Sequence, residues 1–248
     1  MRKRVLSILF TGVMILGAGR ISQAAPTYSL TGLGDLPGGS FFSWAEGINN
    51  SGQVVGRSYS ASGQEAFLWD SGSGMTGLGD LPGGSFRSSA YGINDSGQVV
   101  GYGKSASGYE AFLWDSGSGM TGLGDLPGGS FYSRAYGINN SGQVVGWGIG
   151  ASGQEAFLWD PVSGMTGLGS LPGGGALDSN AYGINDSGQV VGWVWSDAGQ
   201  EAFLWSAGDG MLSLNSLLDD SGVGWHLWNA EAINSSGQIV GSGTYNGQ

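Results

Sequence analysis

Cysteine is absent from this 248-residue chain, and histidine occurs once. Without thiols there is no disulfide framework, so stability has to come from burial. Basic residues are scarce: eight Lys and Arg against 19 Asp and Glu give a formal net charge of −11. Such a surface repels phosphate backbones and anionic lipid, which argues against nucleic-acid and membrane-surface partners. Helical apolar stripes are missing too, and 52 glycines are too many for helices of useful length. A single long apolar run, Val5–Gly19, follows MRKR and precedes Ser22-Gln23-Ala24-Ala25. It is shorter than the ~20 residues of a membrane span. Residues 1–25 therefore read as a secretory signal peptide. Its removal takes Arg2, Lys3, Arg4 and Arg20 and leaves four basic residues against 19 acidic ones, a net of −15. The expected address is extracellular or at the cell surface, with the periplasm as the alternative. No cysteine is available at the cleavage site for a lipid anchor.

What the chain does have is a repeat. Trp69, Trp114, Trp159 and Trp205 are spaced 45, 45 and 46 residues apart, and Ile48, Ile93, Ile138, Ile184 and Ile233 keep a similar period. Each unit offers four short strand-like segments between Gly-rich turns. In the second unit they are Ala90–Asn94, Gln98–Lys104, Glu110–Asp115 and Met120–Leu126. Asn94-Asp95-Ser96-Gly97 suits a type I turn closed by a glycine at positive φ. Ala-Phe-Leu-Trp is apolar without alternation, so that strand expects cover on both faces. Four antiparallel strands in ~45 residues is the size of one β-propeller blade. The expectation is an all-β propeller of about five four-stranded blades. Its units run about 27–70, 71–115, 116–160, 161–205 and a partial 206–248. The first segment should lie at the central axis and the fourth at the rim, a layout similar to that of WD-repeat propellers. Thr27–Leu36 reads as an orphan fourth strand. The fifth unit stops at Gly247-Gln248, where Glu-Ala-Phe-Leu-Trp is due. That predicts a further strand and turn of at least ~10 residues, the alternative being a ring with a gap.

EAFLW, INxSGQVVG and LGxLPGG recur in fixed order over nearly all of residues 27–248. Together they resemble the HAF family of bacterial extracellular repeat proteins, and residues 214–248 resemble its terminal repeat. The resemblance implies export and a repeat scaffold, and it implies no reaction. Two features depart from the family. Glu65, Glu110, Glu155 and Glu201 stand where it has the His of His-Ala-Phe, and the PEP-CTERM sorting tail common in the family is not in this sequence.

Most chemical constellations have a simpler reading. GLGDLPGG contains a Pro and leads into a strand, not into the helix a phosphate loop requires. The Asn-x-Ser triplets at Asn49, Asn94, Asn139, Asn185 and Asn234 fall on turns that want those residues for local hydrogen bonds, and they carry too few carboxylates for Ca²⁺. His226 has no GxSxG partner and no set of zinc ligands, so it reads as a partly buried loop residue. The four equivalent glutamates lack the second, distinct carboxylate of a glycosidase. No catalytic residue, metal or cofactor is assigned. The informative contrast is between copies. Two turns per unit are nearly invariant, and the two other connections vary, carrying Phe42, Trp44, Arg57, Arg87, Tyr102, Lys104, Tyr132, Arg134, Trp147, Trp193 and Trp195. In an up-and-down blade these connections emerge together, and this aromatic, basic face is the candidate ligand contact. The expected function is a non-catalytic recognition module for an extracellular polysaccharide or a surface protein. The alternatives are a structural surface-layer or matrix component, or a propeller-type glycosidase or lyase.

Overall fold

A computed structural model describes residues 29–172 and 178–247; residues 1–25, which the sequence suggests are a signal peptide, lie outside the described residues. The fold is all-β, built from four four-stranded antiparallel sheets and one two-stranded sheet. The first sheet holds β1 (Gly38–Ile48), β2 (Val54–Ser60), β3 (Gly63–Asp70) and β4 (Gly74–Gly77). The second holds β5 (Ser88–Ile93), β6 (Val99–Lys104), β7 (Tyr109–Asp115) and β8 (Gly119–Gly122). The third holds β9 (Ser133–Ile138), β10 (Val144–Gly150), β11 (Gly153–Asp160) and β12 (Gly164–Gly167). The fourth holds β13 (Ser179–Ile184), β14 (Val190–Ser196), β15 (Gly199–Ser206) and β16 (Gly210–Ser213). The last pairs β17 (Trp225–Ile233) with β18 (Ile239–Tyr245). Strand order follows chain order in every sheet, so each is a simple meander. Among the described residues no helix is long and apolar enough to cross a membrane.

The tight turns form as their residues dictate. Asn94 O accepts Gly97 N at 3.0 Å, and Gly97 takes φ +79°, a value only glycine adopts without cost. The core is a series of seams between sheets, not one central cluster. Val55, Ala66 and Leu78 of the first sheet meet Ala90, Val99 and Phe112 of the second. Val100 and Ala111 face the other way and meet Ala135, Val144 and Phe157 of the third. Adjacent residues of one strand thus serve opposite seams, which is why Val-Val and Ala-Phe-Leu-Trp show no alternation. Phe67, Phe112, Phe157 and Phe203 are all fully buried. Successive first strands approach backbone to backbone: a Cβ on Gly92 would lie 2.8 Å from Tyr136 O. The end sheets are less covered, since Val54 of the first is half-buried where Val99, Val144 and Val190 are fully buried.

Four expectations are corrected. Residues 29–36 form no strand; Leu36 is instead buried, with its amide on Ser58 Oγ at 3.1 Å. A fourth strand needs a third strand beside it, and among the described residues none flanks this segment. The fourth strand of each unit also ends early, at Gly122 and not Leu126. Gly124 takes φ +81° and gives its amide to Glu110 Oε1 at 3.0 Å, turning the chain out of the sheet. In the last unit the first strand extends back to Trp225. His226 therefore sits in a strand, exposed, with Nε2 3.1 Å from Gln200 O.

Candidate binding face

The two variable connections of each unit do meet at one end of its sheet. Arg87 O accepts the amide of Lys104 at 2.9 Å, Tyr132 O that of Ile149 at 3.0 Å, and Asp178 O that of Trp195 at 2.8 Å. Short parallel bridges, Gln64 to Arg87 and Tyr109 to Tyr132, stitch the third strands of the first two units to the entry segment of the unit that follows. The variable side chains consequently form a patch that runs across units.

Every basic residue among the described residues lies over an aromatic ring in this patch. Arg57 is 4.4 Å from the Trp44 ring and pairs with Glu46 at 2.9 Å. Arg87 and Lys104 both approach Tyr109, at 5.8 and 5.4 Å. Arg134 is 4.4 Å from Tyr102 and also near Tyr132 and Trp147. Cation–π attraction of this kind holds a cation in place without neutralising it, at about 0.5–2 kcal/mol. The aromatic residues also pack on one another. Phe42 meets Trp44 edge-on, and Tyr132 stacks on Trp147 at 5.2 Å.

Three tyrosines that sequence reasoning placed only in the repeated first strand belong to the same network. Tyr91, Tyr136 and Tyr182 form a row with centroids 5.1 and 5.4 Å apart. Trp147 and Trp193 donate their indole N–H groups to Tyr136 and Tyr182 at 3.2 and 3.1 Å. Burial next to Tyr102 and Tyr136 pushes the Tyr91 hydroxyl well above its ordinary value. The signal was the exchange of this Tyr for Glu46 and Glu231 in the end units. The candidates consequently divide. Tyr102 is buried beneath its neighbours, and Trp147, Trp193 and Arg134 are half-buried. Phe42, Arg87 and Trp195 are exposed, with Trp195 at 44%. Phe41, Phe86 and Phe131, not singled out from the sequence, are exposed alongside them.

The invariant parts have structural partners. Glu65, Glu110 and Glu155 each accept a turn amide at 3.0 Å, from Gly79, Gly124 and Gly169. In the fourth unit burial opposes the charge of Glu201, but hydrogen bonds from Ser196, Ser213 and Asn215 outweigh it and lower its pKa. At the opposite end of the sheets, Asn94 Oδ1 accepts the amides of Ser96 and Gln98, while Nδ2 reaches Asn139 O of the next unit at 3.1 Å. The same step repeats from Asn49 to Asn94, Asn139 to Asn185 and Asn185 to Asn234. Four of these Ile-Asn corners, with Ile233 and Ser235 from the fifth, line one polar pocket of about 260 Å³.

Asp125 anchors the variable loop by accepting the amide of Tyr132 at 3.0 Å. Burial raises its pKa above the ordinary carboxylate value, against the lowering effect of that bond. A raised folded-state pKa means the native protein binds more protons than the unfolded chain between the two values. Stability from this group is therefore lost as pH rises through that window. Asp125→Asn removes the charge and keeps the acceptor, so it should raise the melting temperature at pH 7. The gain should vanish near pH 3, below the ordinary Asp value of ~3.9. An equal gain at both pH values would refute this account.

Neither protein-family models nor curated proteins match this chain.

Proposed function

We propose that this chain is an exported, HAF-type repeat scaffold whose sheets stack radially as propeller blades, with the variable end recognising an extracellular polysaccharide. One observation carries the functional reading. In a strongly acidic chain, all four described basic residues and the exposed aromatics gather at one end of the sheets. Exposed rings offer stacking platforms for sugars, and the held cations offer hydrogen-bond donors and charge to hydroxyl and carboxylate groups. The convergence of corner residues from all five units on one pocket supports the radial arrangement. The role is binding, not catalysis, because the repeated glutamates are engaged by turn amides.

A glycan array with the full chain tests it. Binding should be lost in Trp195→Ala with the melting temperature unchanged within about 1 °C, as expected for an exposed side chain. Trp193→Ala should lower the melting temperature, because that ring is half-buried and bonded to Tyr182. The internal aromatic packing also favours a second reading, a structural component of a surface layer. Absence of glycan binding together with self-assembly into sheets or fibres would establish that reading instead.

A further inference from the structure

Among the described residues 19 carboxylates face only four cations, yet just one of those cations, Arg57, has an acidic partner, Glu46 at 2.9 Å. Arg87, Lys104 and Arg134 belong to the second and third units and make no ion pair there. Aromatic rings hold them instead. Arg87 and Lys104 lie over Tyr109, which meets Tyr102 and Tyr132 at 5.7 Å each. Arg134 lies against both of those rings, 4.4 Å from Tyr102 and 5.3 Å from Tyr132. Three unpaired cations therefore surround one cluster of tyrosines that spans the boundary between two units.

Two carboxylates in the same loops are turned elsewhere. Asp80 and Asp125 each spend Oδ2 on a loop amide, of Arg87 at 3.2 Å and of Tyr132 at 3.0 Å. The other oxygen of each is buried without a partner, so both anchor the loops and leave the cations unneutralised. Arg134 gives one hydrogen bond, from Nη2 to the Tyr132 hydroxyl, and its Nε has no acceptor. A guanidinium carries five N–H donors in a planar fork that fits an oxyanion, and most of them are unused here. The acidity of the chain as a whole does not cancel this patch. At physiological ionic strength the field of exposed charges fades over ~8 Å, so the local cations decide what docks.

We propose that the sugar chain taken by this face is anionic, with a ring carboxylate or sulfate held by Arg87, Lys104 and Arg134. Its sugar rings lie on Phe86 and Phe131, which are exposed in the same loops. Charge-assisted hydrogen bonds from the arginine forks supply the preference for an acidic sugar over a neutral one. The inference rests on the polysaccharide reading and narrows it.

The probes are oligogalacturonate, dextran sulfate and neutral dextran of matched length, titrated into the full chain. At least one acidic sugar should bind about tenfold or more tightly than dextran, and its affinity should fall severalfold as salt is raised. A preference between the two acidic sugars assigns the anionic group to carboxylate or to sulfate. Arg134→Ser installs the residue type that the second unit has at this place, Ser89, and should weaken acidic-sugar binding about tenfold. Arg87→Ser, at an exposed position, should weaken it severalfold with the melting temperature unchanged. Equal affinity for dextran, or both variants binding the acidic sugar like the parent chain, overturns the inference and leaves the polysaccharide reading in place. Equally tight binding of a DNA oligonucleotide also overturns it, because charge alone would then suffice. Binding of none of the three sugars, with none on the glycan array, removes the polysaccharide reading itself.

Discussion

Gly146→Ala should lower the melting temperature by about 6–12 °C, corresponding to ~3 kcal/mol in a chain of this size. The reason is contact, not dihedral freedom. Gly146 does not have a positive φ, yet a Cβ built there would lie 1.9 Å from Arg134 O. The register of β9 against β10 shifts between Val145 and Gly146, and this bulge brings the Arg134 carbonyl against the neighbouring strand. Relieving the overlap would pry β9 from β10 and open the seam that β9 closes against the second sheet. Gly164→Ala is the control. That glycine has φ +76° with nothing within 4 Å of a Cβ, so alanine there should cost only conformational strain of about 1 kcal/mol. Equal losses for the two variants would mean that the bulge is soft and the contact explanation is wrong. The same approach recurs at Gly56, Gly101 and Gly192, with distances of 1.8, 1.9 and 1.9 Å. This glycine is thus part of the repeat's construction.

Much of this could be read from residue types because turns and buried strands depend on local chemistry. Asn-x-Ser-Gly specified its turn, since Gly at positive φ and Asn as acceptor are local requirements. Ala-Phe-Leu-Trp specified cover on both faces, and Phe112 and Ala111 do serve opposite seams. The meeting of the variable connections followed from counting antiparallel strands. What escaped was set by distant partners. The early end of the fourth strand depends on Glu110 reaching Gly124 across 14 residues. The Thr27–Leu36 segment has a fourth-strand sequence, but pairing needs a neighbour that composition does not reveal. Tyr91 looked like an ordinary strand residue because its contacts are with Tyr136, a full repeat away. For the same reason the exposed and buried members of the candidate face could not be separated beforehand. Trp193 and Trp195 are two residues apart on one strand, yet only the first has a tyrosine hydroxyl for its indole.

Phe157→Ala should be the most disruptive of the conservative truncations, at about 3–5 kcal/mol. The ring is fully buried and belongs to the third sheet, but its neighbours Val100, Ala111, Leu123 and Leu126 come from the second sheet and the loop that follows it. The loss therefore falls on the interface between two units and only indirectly on the stability of either. In a stacked array, stability is a sum of unit terms and nearest-neighbour interface terms, and the interface terms enforce cooperativity. Phe157→Ala should consequently broaden the melting transition or divide it, and hydrogen exchange should rise in β6, β7 and β9 before it rises in β14 or β15. Phe157→Leu, which refills most of the volume, should restore a single transition at intermediate stability. A uniform downward shift with a sharp single transition and evenly raised exchange would show that the sheets unfold as one block. The seams would then not be the units of cooperativity.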